Sequence, residues 1–144
     1  MQKILLAMAI AFTSVGALAA QDSLVALKSM ADHGDVEAQY DLGAKYAAGI
    51  DVRQDAFEAV RWYRQAAELG HTKAQFHLGM MYAQGKGVAQ NDVLAHMWAS
   101  LAASSGVPEA RQVLDLVEGR MTPQQITTAK DKAASCQAHN FKDC

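Results

Sequence analysis

The chain is short of the residues that build strands, staples and reactive centres. Proline occurs twice in 144 residues and clusters of β-branched residues are missing, while alanine is abundant; that balance favours helices over a sheet. Cysteine also occurs only twice, at Cys136 and Cys144, so none stands just after the N-terminal apolar run to carry a lipid. A formal net charge of -2, mixed in sign along the chain, is too small to mark nucleic acid or an anionic membrane as the partner. Reactive motifs are lacking as well. There is no G-x-S-x-G, no S-x-x-K, no H-E-x-x-H and no glycine loop followed by Lys-Ser or Lys-Thr. We therefore assign no catalytic, cofactor-binding or metal-ligating residue, and expect no cofactor.

What is present begins with the first twenty residues. Lys3 supplies a short positive start, Ile4 to Phe12 is wholly apolar, and Ala17-Leu18-Ala19 places small residues where a signal peptidase reads. Residues 1–20 are expected to be a cleaved signal peptide, with an uncleaved anchor as the alternative, since the run approaches the roughly 17 to 25 residues of a spanning helix. Cleavage leaves a periplasmic or secreted chain of about 125 residues, enough for one domain with a modest core. Its net charge shifts by the loss of Lys3 alone, from -2 to -3.

Residues 35–70 and 71–106 then repeat without a gap at an offset of 36. Leu42 and Leu78, Gly43 and Gly79, Tyr46 and Tyr82, Gly49 and Gly85, Trp62 and Trp98, and Gly70 and Gly106 coincide, as do several alanines. A fixed period of this size marks a solenoid. Ala38, Leu42 and Tyr46 step by four, while Ala59, Trp62 and Ala66 step by three and four, so each unit is two helices with one buried stripe apiece. Asp55 and Asn91 are expected N-caps. The glycines at 49, 70, 85 and 106 follow helix ends. Gly43 and Gly79 fall inside a helix, where glycine costs about 1 kcal/mol against alanine; close approach of a neighbouring Trp or Tyr is the expected compensation. The repeat also accounts for Gly85-Lys86-Gly87, which otherwise suggests a phosphate loop.

This pattern of alanine, glycine and aromatic positions closely resembles the Sel-1-like repeat family (SLR), across Leu24 to about Arg120. The resemblance implies an all-α, short solenoid of antiparallel helix pairs, a tetratricopeptide-like right-handed superhelix. The second unit keeps the family's G-x-G-V turn at Gly85 to Val88, whereas the first has Asp51 at the place of Gly87, and the second has Ala99 where the first has the more usual Tyr63. Residues 21–34 read as an orphan second helix and 107–121 as a first helix, half-repeats that cap the stack. In 122–144, Thr122, Pro123 and Gln125 announce a capping helix to about Ala138. An exported chain with an even cysteine count is expected to join Cys136 to Cys144 in a disulfide, with an intermolecular bridge or a redox pair as alternatives.

The remaining polar residues have ordinary readings. His33, His71, His77, His96 and His139 show no metal spacing, and solvated or capping roles are expected, a bridge from His77 to His96 across a helix pair being the alternative. Trp62 and Trp98 belong to the core. Arg61 and Arg64, near Glu58 and Glu68, read as a solvated face.

A surface is what remains for function. In tetratricopeptide-like superhelices the first helices line the concave side, and subtracting the shared stripe leaves Glu37, Asp41, Lys45 and Ala48, then Lys73, His77, Met81 and Gln84, then Glu109 and Val113. Asp41, Lys45, His77, Met81 and Gln84 are the expected partner contacts, with Met81 as an adaptable one. The resemblance implies a non-catalytic scaffold for a protein partner in the periplasm or envelope. Within it stand two specific roles, immunity against an antibacterial effector and assembly of envelope machinery. Some cysteine-rich members handle β-lactams, but the repeats here contain no cysteine, which counts against that activity; a small periplasmic hydrolase or a metal-binding protein is the rival from another class.

Overall fold

The computed structural model describes residues 14–144. It holds seven helices: α1 (Ser14–Asp32), α2 (Val36–Ala48), α3 (Ala56–Glu68), α4 (Thr72–Gln84), α5 (Asp92–Ser104), α6 (Ala110–Glu118) and α7 (Pro123–Ala138). Among the described residues there is no strand, and no helix is long and apolar enough to cross a membrane. Most of the expected signal segment lies outside the described residues. Residues 14–20 form the start of α1, so the expected boundary at residue 20 falls within a continuous helix.

Adjacent helices pack as antiparallel pairs, and the sequence explains each reversal. Three Schellman closures recur at the period of 36. Gly34, Gly70 and Gly106 take positive φ, and the following residues, Asp35, His71 and Val107, donate to the carbonyls of Met30, Ala66 and Ala102. The reversal inside each unit is tied differently. The N-cap backbone of Asp55 donates to Tyr46 O at 2.9 Å, and that of Asn91 to Tyr82 O at 3.0 Å, while both side chains cap the helices they open. Gln39 and Gln75, buried and 36 apart, send Nε2 to the carbonyls of Ala31 and Ala67, stapling each first helix to the end of the helix before it.

The core follows the shared stripes. Leu42, Leu78, Ala59, Ala66, Ala95 and Ala102 are fully buried, with Trp62 and Trp98 nearly so. Gly43 lets the Tyr63 ring lie where its Cβ would stand, 2.8 Å from Tyr63 Cδ1, so the expected aromatic cover is present in the first unit. Gly79 instead faces backbone, with Ala95 O and Ala99 N at 3.2 Å from a Cβ position.

The stack ends at α6 for a reason written in its sequence. Asp115 occupies the position of Gly43 and Gly79, and pairs with Arg111 at the position of Gln39 and Gln75. A side chain there takes the space that the Tyr63 ring fills against Gly43 and the α5 backbone fills against Gly79. The link to the next helix is also short, residues 119–122 against 49–55 and 85–91 in the units. Helix α7 accordingly packs chiefly on α5, not beside α6. Its contact stripe is narrow: Ala129, Ala133 and Cys136 are its buried residues. The capping box of Thr122 and Gln125 starts it and it ends at Ala138. Cys136 and Cys144 form the disulfide. A loop that short contributes about 2 to 3 kcal/mol through the unfolded chain, and it holds the Phe141 ring against Gly70.

Candidate functional site

An open groove of about 470 Å³ runs from α2 across α4 to the turn before α6. Tyr40 comes from α2, Thr72, Lys73, Phe76 and His77 from α4, and Val107 to Glu109 from the turn into α6. Tyr40 and Phe76 stand 36 residues apart at one position of the repeat, so the two units place them in register. The aromatic rings form one connected set. Tyr63, buried on α3, stacks on His77 with centroids 5.1 Å apart; Tyr40 stacks on His71 at 4.4 Å; Phe76 tilts against His77 at 5.0 Å.

Histidine plays two distinct parts here. His71 caps α4: its Nδ1 accepts from the Ala74 N–H at 3.1 Å, so the proton sits on Nε2, which donates to the Glu37 carboxylate at 2.6 Å. Burial holds the His77 imidazole below its usual pKa, and repulsion from His71 when that ring is protonated and from Lys73 pushes the same way. Its Nε2 stands 3.5 Å from the Tyr40 hydroxyl, a long contact. Burial likewise raises the Tyr63 phenol; burial and then Asp41 and Glu37 raise that of Tyr40. The neutral Tyr40 phenol, the neutral His77 imidazole and the Phe76 ring, backed by buried Tyr63, make a surface for apolar or proline-bearing chain, with Lys73 and Glu109 as polar rim.

The expected contact residues do not converge on one spot. His77 lines the groove and Asp41 and Gln84 are exposed, but Lys45 is bound to Asp51 at 2.5 Å. Met81 is 6% exposed and belongs to the core, as does Val113. Met81 is therefore withdrawn as a surface contact. His96 also departs from the solvated role expected of it. It is 1% exposed, with Nε2 at 2.8 Å from Glu118 and Nδ1 at 3.1 Å from Ser100, and it ties α5 to α6. No group of three metal-ligating side chains occurs among the described residues.

Tyr40 and Phe76 are the groove residues that the sequence reading passed over, whereas His71 takes the capping role expected of it. Tyr40 and Phe76 are repeat equivalents, aromatic in both copies but not identical. Sorting positions into identical and different loses such a pair; sorting by side-chain class keeps it.

A family model described as Sel1 repeat matches residues 36–71 and 72–107, together half of the chain, in the same period as the two units and one residue later. Among solved structures, a Sel1 repeat protein from Oxalobacter formigenes is 35% identical, with a TM-score of 0.59, over 85% of this chain and 98% of that one. A protective antigen present in uropathogenic Escherichia coli strains, displaying an SLR fold, is 26% identical with a TM-score of 0.75. That match covers 82% of this chain but 26% of the antigen, so this chain spans about a quarter of it. No curated protein matches the chain.

Proposed function

The chain belongs to the Sel1 repeat family, and from that premise we propose that it is an exported, non-catalytic scaffold that holds a segment of a partner protein in the Tyr40–His77 groove. Sel1 repeats usually mediate protein interactions. The observation that carries the reading is the open aromatic line itself: Tyr40 and Phe76 stand only half-buried at the same position of consecutive first helices and line one groove, whereas Trp62, Trp98 and Tyr82 are packed away. Export is supported by the disulfide and by the composition of residues 1–20. Immunity and envelope assembly are two occupancies of the same groove and differ in the partner recovered.

The test is photo-crosslinking in the exporting cell. A benzoylphenylalanine at position 76 is expected to trap a discrete partner that the same group at position 130, on the outer side of α7, does not. Equal trapping at both positions, or none at either, removes the groove as the binding site.

A further inference from the structure

The two units present the same outer face of their second helices, and only one of those faces is covered. On α5, Met97 is 1% exposed and Leu101 is also buried, with Lys132, Ser135 and Cys136 of α7 beside Met97. Thirty-six residues earlier, the same face of α3 carries Arg61 and Gln65 and is open, headed by Phe57 at 77% exposure. A groove of about 510 Å³ runs along it, walled on its other side by Gly87, Val88 and Ala89. That wall is held firmly, because Gly87 has no Cβ and its backbone presses on the Ala56 carbonyl at the start of α3.

We propose that this α3 groove is a second docking seat, distinct from the Tyr40–His77 groove, and that it takes an amphipathic helix of a partner protein with small residues along its contact stripe and a carboxylate opposite Arg64. The shape of the occupant is read from the molecule. Helix α7 covers the repeat-equivalent face of α5 with Ala129, Ala133 and Cys136, so a helix of that profile fits this surface of the repeat. The two surfaces are also continuous: within the loop that the disulfide closes, the chain turns from the α7 seat to the end of α3, where Phe141 meets Gly70 and Asp143 lies near Glu68. The charge follows from the substitutions between copies. Met97 and Ser100 become Arg61 and Arg64. Arg61 is paired with Glu58 at 2.7 Å, whereas the Arg64 guanidinium donates to the Tyr82 hydroxyl and has no ion pair among the described residues. Phe57 supplies the apolar anchor, a large ring beside a cation being the usual core of a docking site.

The probe is a synthetic helical peptide of residues 122–138 carrying Lys130→Glu, Lys132→Glu and Cys136→Ser, titrated into the disulfide-intact, isotope-labelled chain. Backbone amide shifts are expected at Phe57, Arg61, Arg64 and Val88, weakening as salt is raised. Phe57→Ser, on an exposed side chain that folding does not need, should lower the affinity about tenfold or more, and Arg64→Gln should remove the salt dependence. Absence of shifts at millimolar peptide overturns the seat, and so do shifts centred on Tyr40 and Phe76. Neither result bears on the crosslinking at position 76.

Discussion

Units 35–70 and 71–106 reach the same backbone through different side chains. In the first, Gly43 makes room for the Tyr63 ring, which fills the space between α2 and α3 and reaches His77 of the next unit. In the second, Ala99 stands at that place, and Gly79 lets α4 approach the backbone of α5 directly. The turns differ in the same manner. Gly87 presses on Ala56, while its counterpart Asp51 takes a left-handed φ of 61° and binds Lys45. One glycine position therefore serves an aromatic spacer in one copy and a helix contact in the other. The lesson is that identical residues maintain the stack, whereas substituted ones make the surfaces: the aromatic groove exists because Tyr63 was kept in one copy, and the open α3 face because Met97 and Ser100 have arginines as counterparts.

The largest expected effect removes the spacer. Tyr63→Ala should cost about 3 to 5 kcal/mol in urea unfolding, as for other buried rings cut to alanine, and should abolish the near-ultraviolet signal of the stacked groove. A loss under about 1 kcal/mol would mean that the ring is not what separates α2 from α3. Next comes exchange of the turns. Gly87→Asp should destabilise by about 1 to 3 kcal/mol, from a strained φ and from overlap with the Ala56 carbonyl. The reverse change, Asp51→Gly, should stay within about 1 kcal/mol, because that φ suits glycine. Equal costs for the two would show that the turns, unlike the helices, are interchangeable.

The smallest effect is a pH dependence. The folded state holds the His77 pKa below its usual 6.5, so the unfolded chain takes up protons first as pH falls. Stability from this site is complete well above pH 6.5 and declines as the pH drops through that value towards the folded pKa. His77→Gln should flatten that part of the curve between pH 7.5 and 5.5 in matched denaturant titrations, while Asp41→Asn, at the equivalent position of the first unit, should not.

Much of this was legible from spacing. The period of 36, the caps at Asp55, Asn91 and Thr122, the aromatic over Gly43 and the Cys136–Cys144 disulfide are properties of neighbours in sequence or of positions repeated in register. The contact strip was legible only in part. His77 lines the groove, but Met81 is buried, since four residues separate positions on one helix without telling which of two neighbouring helices they meet.

The sequence by itself determined that this is a stack of helix pairs and where the helices of the two units and α7 begin and end, because capping, glycine closure and apolar period act over a few residues along one chain. Tertiary structure alone decided that α7 lies on α5, that His96 is enclosed between Ser100 and Glu118, and that Tyr40, Phe76 and His77 meet in one groove over the buried Tyr63 ring. Those outcomes depend on a short link, a blocking Asp115 and the distance between helices of different units, and distance between units is a quantity that packing sets.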